Sequence, residues 1–208
     1  MDDTYRTING EGQAELKVEG SRFVAEIYPV ETREDVEAHL EVVRERERKA
    51  SHHCFAYRLG RDGDDFRYDD DGEPSGTAGQ PILRQIDGRD LTNTLIIVTR
   101  YFGGTKLGTG GLMRAYADAA DAALERATIV EKVVRTPVRL RFTYDDTAPA
   151  RQVLQHFDAE VTDSDYTDVT ELTVGVRASE VEAFVEAFRN GLSDRGEILS
   201  VGEHESEA

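Results

Sequence analysis

The spacing of apolar and polar positions divides the chain into short strands and amphipathic helices. Glu15-Leu16-Lys17-Val18-Glu19 alternates, Gly20-Ser21 reads as a turn, and Arg22 to Pro29 is rich in Phe, Val, Ile and Tyr, which predicts a hairpin. Thr32 followed by Asp35 makes a capping-box-like start, and Val36, Leu40 and Val43 give the stripe of a helix running to about Lys49. The outer face of that helix, Arg44 to Lys49, alternates Glu45 and Glu47 with basic residues, a solvated and self-paired pattern. His52 to Leu59 and Phe66 to Asp69 read as strands joined by Gly60-Arg61-Asp62-Gly63, and a short helix follows Gly79 with Pro81 in its first turn. The unbroken run Leu95-Ile96-Ile97-Val98 predicts a central strand. A glycine loop, Gly103 to Gly111, then leads into a helix with Leu112, Tyr116, Ala119, Ala120, Ala123 and Ala127 on one face.

The pattern changes near Thr136-Pro137. From Val138 it reads strand (to Tyr144), helix (Pro149 to Phe157), strand (Val161 to Tyr166), strand (Val169 to Val176), helix (Ser179 to Asn190) and strand (Glu197 to Val201), a ferredoxin-like βαββαβ order. The expectation is an α+β chain of two domains, 1–135 and 136–208, with a frayed tail from Glu203. No apolar run approaches the length of about 18 residues needed for a spanning helix. The acidic start Met1-Asp2-Asp3-Thr4 lacks the basic and apolar regions of a signal peptide. A single cysteine, Cys54, points to a reducing compartment, so a cytoplasmic protein is expected.

Charge sharpens this. With 42 acidic and 25 basic residues the net charge is −17, which disfavours membranes and DNA specificity and should repel RNA except at a local positive island. The cations are 21 Arg and 4 Lys, a skew that suggests a halophilic cytoplasm, where molar salt shortens the Debye length to about 3 Å. An ordinary acidic protein from a GC-rich genome is the bland alternative.

Against that background one stretch stands out. The 27 residues between Asp90 and Asp118 contain no carboxylate, where roughly five would be expected from uniform composition. A second acid-free stretch, Pro74 to Ile86, carries Arg84. Burial explains Leu95 to Val98 but not the loop Tyr101-Phe102-Gly103-Gly104-Thr105-Lys106-Leu107-Gly108-Thr109-Gly110-Gly111, which reads as accessible and reserved for an anion. Its glycines would expose N–H groups beside a helix N-terminus; Arg100, Lys106 and Arg114 would supply charge, and Tyr101 and Phe102 rings for stacking. The named nucleotide motifs fail. Thr109 and Gly110 stand where a Walker motif needs Lys and Ser/Thr, and Met113 where GxGxxG needs its third glycine.

Other candidates are weaker. Asp69-Asp70-Asp71-Gly72-Glu73 invites Mg²⁺ held by Asp70, Asp71 and Glu73 together with a phosphate, although Arg67 occupies the first ligand position of an EF-hand loop; a solvated turn is the default. His52 and Cys54 share one side of a strand, but a lone cysteine does not make a structural zinc site and its usual fate is burial. Ser75, in Pro74-Ser75-Gly76, reads as a cap for the following turn.

These same segments carry a resemblance. Ser51-His52-His53-Cys54-Phe55-Ala56-Tyr57-Arg58, then Asp70-Asp71-Gly72-Glu73-Pro74-Ser75-Gly76-Thr77-Ala78-Gly79-Gln80-Pro81-Ile82-Leu83, then Thr99-Arg100-Tyr101-Phe102-Gly103-Gly104 with Lys106-Leu107-Gly108, Gly110-Gly111-Leu112 and Arg114-Ala115-Tyr116, closely resemble the IMPACT/YigZ family. Thr105 is a mild departure, since that position often holds a branched or hydrophobic residue. The likeness spans about residues 15–130, and the remainder resembles the small C-terminal domain of prokaryotic members. It implies, for the first part, a two-layer α+β fold like the second domain of a small-subunit ribosomal protein, shared with GHMP kinases. For the rest it implies a ferredoxin-like domain similar to one in translation elongation factor G. It also implies a link to translation control: eukaryotic relatives bind the activator of a starvation-sensing kinase, a pathway prokaryotes lack, while ribosome or nucleic-acid association is the usual expectation for prokaryotic members. Taken together, the expectation is a non-enzymatic factor that binds RNA, the ribosome or a translation-control protein, with no cofactor. The rivals are a Mg²⁺-dependent nucleotide-binding enzyme of GHMP-like fold and a protein-interaction module.

Overall fold

A computed structural model describes residues 3–202. The tail from Glu203, expected to fray, lies outside the described residues. The chain divides into two compact units: Tyr5–Lys132 forms one, and the described residues from Val133 onward, with Asp3 and Thr4, form the other.

The first unit is built on five antiparallel strands in the order β2 (Gly12–Val18), β3 (Ser21–Pro29), β6 (Thr94–Tyr101), β4 (His52–Leu59), β5 (Asp65–Asp69). Val18 pairs with Ser21 across the β2–β3 turn, so Glu19 and Gly20 form its corner, both with positive φ, as a type I′ hairpin requires. The turn thus sits one residue earlier than Gly20-Ser21. Alternation along the strands then sorts two cores. Phe23, Ala25, Ile27, Cys54, Ala56, Ile96 and Val98 face α2 (Gly79–Asp87) and α3 (Gly108–Leu124). Tyr28, Phe55, Tyr57, Leu95 and Ile97 face Val36, Leu40 and Val43 of α1 (Arg33–Arg46). The layer of sheet and α2/α3 is therefore backed by a further helix. With both faces covered, β6 has no side to give to polar residues, which is why its sequence reads as an apolar run.

Helix α1 begins as its sequence predicts: Thr32 accepts from the Asp35 N–H and the Asp35 carboxylate accepts from the Thr32 N–H. The helix ends at Arg46, short of the expected Lys49. Its charged face is only partly self-paired: Arg46 lies 3.0 Å from Glu47 and Arg48 3.7 Å from Glu45, but Arg46 also reaches Glu26 of β3 at 2.5 Å. The small residues Ala115, Ala119, Ala120 and Ala123 let α3 lie close on the sheet. Ala127 lies beyond the end of α3, in the turn that follows, yet still packs on the same core. A two-stranded ribbon that the sequence pattern did not indicate, β1 (Thr4–Asn9) with β7 (Thr128–Val133), completes the set and adds Ile8 and Ile129 to that core.

The second unit follows the order β8 (Arg135–Phe142), α4 (Thr147–His156), β9 (Glu160–Tyr166), β10 (Thr170–Arg177), α5 (Val181–Gly191), β11 (Glu197–Val201). Its sheet order is β11-β8-β10-β9, antiparallel throughout, which is the ferredoxin-like arrangement. Val138, Leu140, Phe142, Val174 and Val176 pack with Phe184, Phe188 and Leu192 in a core of its own. No helix among the described residues is long and apolar enough to cross a membrane.

Candidate functional site

Most of the residues singled out by the sequence converge at one end of the first sheet, on its α2/α3 side; Tyr101 is the exception. Strand pairing sets His52 opposite Arg100 and Arg100 opposite Phe23, so these side chains and that of Cys54 share a face. The segment Asp70–Gly79 folds over that end. Asp70 pins it, with one carboxylate oxygen accepting from Gly76 N–H at 2.7 Å and the other from Ala78 and Gly79 N–H at 2.9 and 2.8 Å. The cap of α2 is therefore Asp70 reaching in from the end of β5; Ser75 is exposed and Ala78 stands at the N-cap. The expected role of Ser75 is overturned, because a carboxylate serving three donors leaves it nothing to cap. Thr77 is buried and donates to the Pro74 carbonyl at 2.6 Å, while Pro74 and Gly72 lie on the surface. Asp71 accepts from the His53 N–H at 2.6 Å.

Glu73 is turned inward. Its Oε1 accepts from Arg100 at 2.6 Å and from the Tyr116 hydroxyl at 2.8 Å, and His52 Nε2 stands 3.9 Å away. His52 Nδ1 lies 2.7 Å from the Asp71 carbonyl, so that nitrogen carries the proton. Arg100 also donates to Ser21 Oγ at 3.3 Å and lies between the rings of Phe23 and Phe102. Only 4% exposed, Arg100 is not the phosphate-facing cation its sequence context suggested; a buried guanidinium is held by a buried carboxylate. Cys54 is fully buried, donates to the Asp70 carbonyl at 3.0 Å, and has its thiol pKa pushed up by burial, so it is no thiolate nucleophile. Burial likewise pushes the Tyr116 phenol up, keeping it a donor to Glu73. With Asp70 serving backbone donors and Glu73 serving Arg100 and Tyr116, the carboxylates proposed for Mg²⁺ are engaged within the fold. No group of three or more His, Cys, Asp or Glu among the described residues could hold a metal ion.

The glycine loop departs from this anchored floor. Tyr101 points to the other face of the sheet, where its hydroxyl donates to Glu47 and Arg22 lies 4.1 Å over its ring. That ring is already covered and is not a free stacking platform, a correction to its expected role. The Phe102 and Gly103 N–H groups donate to Ser51 Oγ and Ser21 Oγ at 3.3 and 3.2 Å. Gly103 is required by close approach: a Cβ there would lie 1.9 Å from the Gly20 carbonyl carbon. Beyond this point the loop opens. Gly104, Lys106, Gly108, Gly110 and Arg114 are exposed, Gly111 is half-buried, and Phe102 exposes 51% of its surface. No side chain caps α3 and its first turn holds no acid. Lys106 and Arg114 form no ion pair among the described residues.

Residues 19–124 match the Impact N-terminal domain, and residues 140–195 match a domain of unknown function, DUF1949. The chain belongs to the IMPACT family. The family member YvyE of Bacillus subtilis (strain 168) is 32% identical over 92% of this chain and 89% of its own length. YigZ of Escherichia coli (strain K12) is 34% identical over 81% of this chain and 83% of its own. A crystal structure of a hypothetical protein superposes with a TM-score of 0.71 at 29% identity, covering 98% of this chain and all of that one.

Within this IMPACT domain, Tyr116 is buried on the apolar face of α3 as its sequence predicts, but the sequence does not show that its hydroxyl holds Glu73, nor that Ser21 and Ser51 hold the start of the loop. One signal was available: Tyr116 is the single hydroxyl-bearing residue on an otherwise apolar, mostly alanine helix face, and buried hydroxyls need partners.

Proposed function

We propose that this IMPACT-family protein is a non-enzymatic, translation-associated factor that binds RNA, free or within the ribosome, through the face from Phe102 to Arg114. The observation that carries the reading is the start of α3: without a side-chain cap, free of acid in its first turn and flanked by Lys106 and Arg114, which form no ion pair among the described residues, in a chain of net charge −17. A helix N-terminus with open backbone N–H groups favours phosphate oxygens, and two cations beside it add charge without a competing carboxylate. Phe102 offers an exposed ring on which a base can stack. Membership of the IMPACT family supports the translational side of the reading.

The test is binding of a single-stranded RNA oligonucleotide to the intact chain across a salt series. Lys106→Ala and Arg114→Ala are each expected to weaken binding and to flatten the slope of log K against log salt by about one unit. Equal binding by wild type and the double variant at every salt concentration refutes the reading. The exposure of Phe102 also favours a second reading, a protein partner. In that case Phe102→Ala abolishes capture of the partner while the Lys106/Arg114 double variant retains it.

A further inference from the structure

The buried carboxylate of Glu73 touches both sides of the exposed glycine loop. It accepts from Arg100, two residues before Phe102 on β6, at 2.6 Å, and from Tyr116, in the third turn of α3 beyond the loop, at 2.8 Å. Both acceptances fall on one oxygen, Oε1, and the side chains of the ion pair are 4% and 5% exposed. Between these anchors Phe102 and Gly103 bond to Ser51 and Ser21, and Leu107, Leu112 and Ala115 pack on the core, while residues 104–106 are exposed. Gly104 and Gly108 have positive φ, and a Cβ built at Gly104, Gly108 or Gly110 would meet nothing within 4 Å. A segment this glycine-rich samples many conformations unless its ends are fixed.

We infer that Glu73 is a positioning residue: by clasping Arg100 and Tyr116 it fixes the distance between the start of the glycine loop and α3, and so holds Lys106, Arg114 and the α3 N–H groups in a phosphate-binding arrangement. The inference rests on the RNA reading above and adds to it the part of the site that never touches the ligand. Asp70 secures the segment that carries Glu73 through its three backbone hydrogen bonds, so the clasp is itself mounted on a fixed support. Preorganisation of this kind raises affinity by removing ordering cost, with no phosphate contact of its own.

Salt dependence separates such a residue from a contact residue. The intact Tyr116→Phe variant keeps the ring that packs edge-on against Phe23 at 5.1 Å and keeps the Arg100–Glu73 pair, losing the hydroxyl's bond to Glu73 and its contact with the Cys54 thiol. Its affinity for the single-stranded RNA probe is expected to fall by about three- to tenfold with the salt slope of the wild type, and amide exchange over residues 104–111 to quicken. Glu73→Gln is expected to do the same more strongly; where it fails to fold, Tyr116→Phe decides. Wild-type affinity and exchange in Tyr116→Phe, alongside a flattened slope in Lys106→Ala, overturn the positioning role and leave the RNA reading standing. A wild-type chain with no salt-dependent RNA binding overturns both.

Discussion

Arg100 and Glu73 are a cation and an anion with almost no access to water, and the two cannot be separated cheaply. Removing one partner of a buried pair strands the other charge, a loss of about 3–5 kcal/mol. Glu73→Ala is therefore expected to lower unfolding free energy in a urea titration by that amount, and Lys106→Ala, at an exposed unpaired site, to leave it within about 0.5 kcal/mol. The pair also explains a misreading. An arginine in a long acid-free stretch resembles a ligand contact when only the sequence is in view, because its carboxylate lies 27 residues earlier in the chain, inside a cluster that itself resembles a metal loop. Neither residue alone reveals that each is the other's partner.

Among the elements, α1 shows how much a local signal can carry. Thr32 and Asp35 hold its first turn, and the Asp35 carboxyl is held below its ordinary range chiefly by the Glu31 N–H, then by Thr32. A folded-state pKa lowered in this way gives stability that is present above the unfolded carboxylate pKa and lost as pH falls through the folded one. Thr32→Ala is expected to destabilise the chain by about 1 kcal/mol in thermal melts at neutral pH. The penalty is expected to shrink as the pH is taken below the ordinary carboxylate range, because protonated Asp35 no longer completes the box. Elements with signals this local were legible: α1 from its cap and stripe, β6 from its apolar run, and the βαββαβ order of the second unit from alternating periods. The ribbon β1–β7 was not, because Thr4–Asn9 and Thr128–Val133 are short, mixed in polarity, and lie far apart in the chain. The site was legible as a set of segments. Its internal geometry was not: which loop residues turn inward, as Glu73 does, and which stay in water, as Lys106 does, depends on contacts between segments far apart in the chain.

At the scale of the whole molecule, the charge of −17 means that self-repulsion opposes compactness in dilute buffer. Many of the ion pairs are surface contacts, which contribute little individually. Screening should therefore help the fold more than it harms these pairs. The melting temperature is expected to rise between about 0.1 M and 2 M KCl, over which the Debye length falls from about 10 Å to less than 3 Å. A fall over that range, read by circular dichroism, would show the exposed pairs to matter more than the net charge. The same screening weakens phosphate contacts, so any RNA held in molar salt must rely more on Phe102 and on backbone donors than on Lys106 and Arg114.

The burial of Cys54 has a practical use. It is the chain's one thiol, sealed beneath Asp70 with its proton retained, so it offers no thiolate to alkylating reagents. A cysteine introduced at Thr105, on the open crest of the loop, would thus take a maleimide dye alone. The native molecule comes already silenced for fluorescence work, with a single vantage point directly over the surface where a visitor would land.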